Sequence, residues 1–148
     1  ILQDKTVVCR LAGEADFDRL VQWRIAFRIA AMGDIDGPAL DTTSRSDISA
    51  QLPAGNLFIL EGAGPLSCCS FNASLPDMVG IGNVWTPPEL RGNGYARAVV
   101  AGALEIARQS GITAAVLATA RENSAAKAAY RSIGFKLVED YLTLRRRQ

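Results

Sequence analysis

The chain has 148 residues, 49% of them apolar and 21% charged, and a formal net charge of +1. That length suits one domain with a substantial core, and the composition is that of an ordinary soluble globule. The near-neutral balance argues against a nucleic-acid binder, and the absence of histidine excludes His-based triads and His-ligated metals.

Thr6 to Leu11 is short and β-branched, which predicts a first strand. Gly13-Glu14-Ala15-Asp16 reads as a helix start with acids in its first turn, and Phe17, Leu20, Val21 and Phe27 give that helix a broad apolar face. The pattern fades near Gly33. Asp34 to Thr43 predicts a loop, followed by a short helix from Ser44 to Leu52 with Ser44 as its cap. Asn56–Glu61, Leu66–Leu75 and Met78–Thr86 predict a meander of strands, turned at Gly62–Pro65 and at Pro76-Asp77. A helix follows from Gly94 to Gln109, ended by Gly111. Then come an apolar strand, Ala114–Thr119, and a helix, Ser124–Ile133, closed by Gly134 at its C′ position. Phe135 to Leu144 returns as one or two strands.

The order β-α-α-β-β-β-α-β-α-β gives antiparallel pairing in the front half and a parallel pair in the back half. No repeat or inner linker interrupts it, so one mixed α/β domain over 1–148 is expected. The start at Ile1 rather than Met raises a processed or truncated piece of a longer protein as a further expectation.

Cys68 and Cys69 are neighbours, so on a strand they point to opposite faces and read as buried small apolar residues. Three cysteines at this spacing resemble neither a disulfide framework nor a zinc site, which fits a reducing cytoplasm. No apolar run reaches the roughly 18 residues of a membrane span, and no signal peptide is visible. The Arg145-Arg146-Arg147 run reads as a solvated end rather than an anion site.

The stretch "VWTPPELRGNGYARAVVAGALEIA", Val84 to Ala107, is the most informative. Its helix carries Ala96, Val99, Val100, Ala103, Leu104 and Ala107 on one stripe, with Arg97, Ala101, Glu105 and Arg108 opposite. One face therefore packs on the sheet, and the N-terminus sits just past a strand end. Pro87 and Pro88 keep the approach extended. Gly92 and Gly94 lack a Cβ, so a ligand can come close to amides that have no intrahelical partner. Those amides, the helix dipole and Arg91 suit a phosphate or pyrophosphate. Alone, Gly-Asn-Gly reads equally as a glycine turn entering a helix. It is not a P-loop, because no Gly-Lys-Ser/Thr follows, and it lacks the third glycine of a Rossmann fingerprint.

Arg91-Gly92-Asn93-Gly94-Tyr95-Ala96 matches the Arg/Gln-x-x-Gly-x-Gly/Ala signature of the GCN5-related N-acetyltransferase (GNAT) superfamily, and "ENSAAKAAYRSIGF", Glu122 to Phe135, resembles that family's other cofactor motif. The two flank one predicted strand, "VWTPPE" resembles the ending of the family's fourth strand, and the element order agrees along nearly the whole chain. The resemblance implies a single-domain GNAT fold with splayed central strands, and acetyl-CoA as cofactor. The backbone amides from Gly92 through Asn93, Gly94, Tyr95 and Ala96 to Arg97 would hold the pyrophosphate, with Arg91 at the loop entrance. The backbone of Val84 and Thr86 would pair with the pantetheine arm, and an N–H near Trp85 would polarise the acetyl carbonyl.

By the same resemblance Asn123 contacts the pantetheine, although a helix N-cap is its other reading. Tyr130 matches the position that protonates the departing thiolate, and its other reading is a core aromatic. Lys127, on the same face, meets the 3′-phosphate or is simply solvated. The implied acceptor is the amine of a small molecule or peptide, attacking directly, and such domains often pair as homodimers. No convincing base is found. Glu61 and Asp77 could act through water but read better as surface or turn acids, and Asp34 and Asp36 could attract a cationic amine. Trp23 and Phe27 line the acceptor pocket or pack the core, and Trp85 is the better pocket wall. The rivals are a different acyl group, a non-catalytic acyl-CoA sensor and a nucleotide-phosphate binder.

Overall fold

The computed structural model describes residues 7–118, 124–137 and 143–147. In chain order the elements are β1 (Val8–Leu11), α1 (Phe17–Met32), α2 (Pro38–Gln51), β2 (Leu57–Glu61), β3 (Pro65–Leu75), β4 (Met78–Trp85), α3 (Tyr95–Gln109), β5 (Ala114–Ala118), α4 (Ser124–Ser132), β6 (Lys136–Leu137) and β7 (Thr143–Arg147). The described strands form one sheet in the order β1-β2-β3-β4-β5-β7-β6. Every neighbouring pair is antiparallel except β4–β5, which is parallel and spanned by α3. The predicted element order and the single parallel pair both hold.

Helices cover both faces of the sheet, which explains why β2 reads as the unbroken apolar run Leu57-Phe58-Ile59-Leu60. Phe58, Leu60 and Cys69 join Val99, Val100, Ala103 and Leu104 of α3 in one core. Leu57, Ile59 and Cys68 join Leu20, Val21 and Trp23 of α1 and Ile48 of α2 in the other. The adjacent cysteines thus point into different cores, as strand alternation requires. The stripe on α3 keeps Val99, Val100, Ala103, Leu104 and Ala107 and differs at its start, where Ala98 is buried and Ala96 is only half-buried.

The first half of α2 corrects the expected loop. Pro38, inside that expected loop, occupies the first turn of a helix, where its fixed φ is pre-organised and its missing N–H is not needed. Ser44 is consequently no cap. It lies inside α2, fully buried, with its hydroxyl unpaired among the described residues.

Glycines set two features that matter for the site. Gly134, at φ 106°, closes α4: its N–H reaches the Arg131 carbonyl at 3.0 Å, and the Phe135 N–H reaches that of Tyr130 at 3.1 Å. The Tyr130 and Phe135 rings meet edge to face, 6.1 Å apart, so this cap also fixes where Tyr130 sits. Gly102 lets α3 approach β1. A Cβ there would lie 2.3 Å from the Cβ of Cys9 and 2.8 Å from its sulfur. Gly102→Ala should therefore destabilise the fold by about 1–3 kcal/mol despite alanine's better helix propensity. Chemical denaturation checks this. Cys9→Ala should not relieve the clash, because the obstructing atom is the Cβ itself. An unchanged midpoint for Gly102→Ala would contradict the packing.

Candidate active site

The site begins at the end of β4, beyond the last of its described pairs with β5. The β4–β5 ladder runs from Met78–Ala114 to Ile81–Leu117, while β4 itself continues to Trp85. Opposite β3, Gly82 faces Ser70 and Trp85 faces Cys68, so Asn83 and Val84 together oppose Cys69 in a β-bulge. Asn83 has φ 53° and is the one non-glycine residue with positive φ among the described residues. Asparagine tolerates that conformation, at a cost of about 1 kcal/mol or more. Its side chain is tied at both ends. Nδ2 donates to Ser70 Oγ at 2.8 Å, and Oδ1 accepts from a guanidinium N–H of Arg24 on α1.

Beyond the bulge, both polar groups of the Trp85 backbone face β3. Its carbonyl accepts from Ser67 Oγ at 2.9 Å, and its N–H borders the thiol of Cys68. Burial pushes that thiol up to about 12, with the Trp85 amide opposing the shift. The described β4–β5 pairs end before Val84 and Thr86. Thr86 is buried, with its hydroxyl 2.9 Å from Ser67 Oγ.

The chain then crosses a single turn of 3₁₀-helix, Pro88–Leu90, to the glycine loop. Arg91 Nε donates to the Thr86 carbonyl at 2.9 Å, and its guanidinium carbon lies 4.7 Å from the centre of the Trp85 ring. Arg91 thus clasps the end of β4 as well as standing at the loop entrance. Asn93 Nδ2 braces the loop by donating to the Leu90 carbonyl at 2.9 Å. Gly92 and Gly94 have φ of 85° and 80°, a region in which any side chain is strained. Gly94 is the N-cap of α3 and no side chain caps that end. The first helical bond runs from Ala98 N–H to the Gly94 carbonyl at 3.0 Å, so the amides of the preceding turn lack intrahelical partners. Tyr95 packs against the α3-side core and Ala96 is half-buried. Arg97 reaches across to α4, donating to Ser132 Oγ at 3.1 Å.

Tyr130 of α4 is 6% exposed and belongs to the core between α3 and the sheet, within electrostatic reach of Cys69 opposite the bulge. Burial, and secondarily Cys69, raise its phenol above the ordinary tyrosine value. Lys127, one turn earlier, is half-buried. Asn123 lies outside the described residues.

The candidate acids do not gather at the bulge. Glu61 is bound by Arg10 on β1, at the far edge of the sheet. Asp77 sits in the turn before β4, at the opposite end of that strand from Trp85, where its carbonyl accepts from the Thr113 and Ala114 amides. Asp34 pairs with Arg28, so its charge is largely neutralised. Asp36 is exposed. A carboxylate that the pattern gave no reason to select, Asp47 of α2, bonds Arg24 at 3.1 Å and Arg28 at 3.5 Å. Trp23 and Phe27 take the anticipated core-packing role. They pack the second core and, with Asn83 and Trp85, line a cavity of about 20 Å³ beneath the bulge, room for roughly one water. Phe27 meets the Trp85 ring edge to face at 6.4 Å.

The Asn83 bulge and its Arg24 tie were missed in the sequence. The available signal was an asparagine after Gly80-Ile81-Gly82 in an otherwise apolar strand, since glycines inside a strand often mark a bulge.

Comparison with known proteins agrees with this geometry. The model of the acetyltransferase (GNAT) family matches residues 21–135. No curated protein matches the chain. Among solved structures, PaiA N-acetyltransferase from Thermoplasma acidophilum, in complex with coenzyme A, superposes with a TM-score of 0.71 at 13% identity, covering 96% of this chain and 99% of that one. Ribosomal-protein-alanine N-acetyltransferase from Brucella melitensis gives 0.74 at 17% identity, over 95% and 99% of the two chains. RimL, a ribosomal L7/L12 alpha-N-protein acetyltransferase in complex with coenzyme A, gives 0.74 at 20% identity, over 96% and 92%. At these identities the likeness to solved structures is one of fold. The family match spans most of the chain and covers both the bulged end of β4 and the glycine loop, and on it the chain belongs to the acetyltransferase (GNAT) family.

Proposed function

We propose that the protein transfers an acetyl group from acetyl-CoA to a primary amine of a small molecule or peptide, by direct attack in a ternary complex. The observation that carries this reading is the junction of two features: the bulged end of β4, and the uncapped glycine-hinged start of α3 directly after it. The first offers backbone groups to an extended arm, as an added strand would use them. The second offers amides and the positive end of a helix dipole to a pyrophosphate. Left-handed Gly92 and Gly94 expose that backbone without a Cβ in the way.

In this reading the amides from Gly92 to Arg97 hold the pyrophosphate. Arg91 keeps the loop against Thr86 and adds positive charge. Val84 and Thr86 align the arm along β4. Trp85 shields the junction, while an amide beside it faces the position where the acyl oxygen gains charge. Tyr130 holds a proton for the departing sulfur. Asn123 is assigned by the motif alone. Acetyl-CoA supplies the activated acyl thioester, so no nucleophile from the chain is required.

A non-catalytic acyl-CoA sensor is the second reading. It is favoured by one observation: among the described residues, Glu61, Asp77 and Asp34 are paired or distant and do not offer a base at the bulge.

Calorimetric titration with acetyl-CoA, with ATP as the control, tests the cofactor assignment. Acetyl-CoA should bind well and ATP at least about tenfold more weakly, because only the CoA molecule has an arm to lay along β4. Equal affinities would favour a general nucleotide-phosphate binder, and no binding of acetyl-CoA would overturn the assignment. If binding holds, release of free CoA with a panel of primary amines separates enzyme from sensor.

A further inference from the structure

Asn83 sits in a conformation that non-glycine residues avoid, at the point where β4 bulges. Such a residue persists where its surroundings over-determine it. Here the surroundings are specific. Ser70, fully buried, receives Asn83 Nδ2 at 2.8 Å and itself donates to the Gly82 carbonyl at 3.2 Å. On the other side, Arg24 donates to Asn83 Oδ1. Arg24 is in turn held by Asp47, which accepts from its Nε and from a terminal nitrogen, each at 3.1 Å. The Arg24 side chain is 16% exposed, so the guanidinium works in a poorly hydrated place where its geometry is well defined. Three elements, α1, α2 and β4, therefore meet through one arginine.

We infer that Arg24 is a positioning residue: through Asn83 it locks the β4 bulge and so sets the direction of the Val84–Thr86 backbone that receives the acyl-pantetheine arm. This rests on the acetyl-CoA reading and adds to it a residue outside both cofactor motifs. It also gives the α1–α2 side of the protein, which carries Trp23 and Phe27, a mechanical hold on the cofactor side.

The test uses two probes on the full chain. Acetyl-CoA has both pyrophosphate and arm. 3′-Phospho-ADP has only the part that the α3 cradle would hold. Arg24→Gln should weaken acetyl-CoA binding roughly 10-fold, the worth of one or two backbone hydrogen bonds, and leave 3′-phospho-ADP within about twofold. Arg24→Lys should fall between, because an ammonium cannot span Asp47 and Asn83 as a planar fork does. Glycine adopts φ near +53° without help. In an Asn83→Gly background, Arg24→Gln should therefore change acetyl-CoA affinity by less than about twofold. Hydrogen exchange over residues 80–88 should follow the same pattern, faster in Arg24→Gln and insensitive to it in Asn83→Gly.

Unchanged acetyl-CoA affinity in Arg24→Gln would overturn the inference. So would equal losses for both probes, which would mark general destabilisation, or a full Arg24 effect retained in the Asn83→Gly background. Failure of the wild-type chain to bind acetyl-CoA would remove the underlying reading as well, and the wild-type titration alone identifies that case.

Discussion

Gly94→Glu should reduce acetyl-CoA affinity by more than about 100-fold while the chain remains folded. Three effects act at one atom. The φ of 80° strains any residue with a Cβ. A Cβ would also stand 3.3 Å from a terminal nitrogen of Arg97, so that flexible group must move. A carboxylate would then sit where the dianionic pyrophosphate is expected, and repulsion between anions at a helix N-terminus outweighs the modest gain from pairing with Arg97. Gly94→Ala separates the contributions. It keeps the strain without the charge and should lose less, on the order of 10-fold. Calorimetry gives the affinities, and far-ultraviolet circular dichroism verifies the fold. Retained affinity in a folded Gly94→Glu protein would place the pyrophosphate elsewhere.

Tyr130→Phe should lower turnover by roughly 100-fold and leave acetyl-CoA affinity within about twofold, since the hydroxyl is assigned to the leaving sulfur and not to ground-state binding. The readout is free CoA released with the best acceptor from the amine panel. Burial, and secondarily Cys69, hold the phenol above its ordinary value. The wild-type rate should accordingly show no loss from tyrosine ionisation near pH 10, where a solvent-exposed phenol would begin to lose its proton. A raised pKa makes transfer to a relaxed aqueous thiolate uphill. Desolvation of a thiolate at the same place would raise its basicity as well and so lessen that cost. Unchanged turnover in Tyr130→Phe would return Tyr130 to the role of a core aromatic against Phe135.

Much of this was legible because the strongest signals are local. The α3 stripe, the apolar run of β2, the helix-ending Gly134 and the opposed Cys68 and Cys69 each follow from periodicity or from a single backbone preference. The misreadings have equally local causes. Pro38 breaks a helix interior but starts a helix well, and composition does not distinguish the two positions. Ser44 looked like a cap because a serine before an apolar stretch usually is one, whereas here a full turn of helix precedes it. The pairings that reshape the candidate site are long-range. Arg24 meets Asn83 across 59 positions, and Arg10 meets Glu61 across 51. No short window contains both partners, so Glu61 could be suspected as a base and Arg24 passed over. Asp34 illustrates the intermediate case: Arg28 is six positions away, but the two come together only because the chain turns back at left-handed Gly33.

Among the described strands the single parallel pairing, β4 with β5, divides the sheet by the length of chain that each pairing must close. The β2–β3–β4 meander closes through short turns and needs little loop entropy, whereas pairing β5 with β4 closes the longer connection that contains α3. The seam between the half closed by short turns and the half joined through α3 is the line along which the acyl-pantetheine arm is assigned. A ligand lying in that seam touches both halves at once. Its binding energy adds to the stability of the step that joins them, so occupancy makes the fold more cooperative as well as more stable.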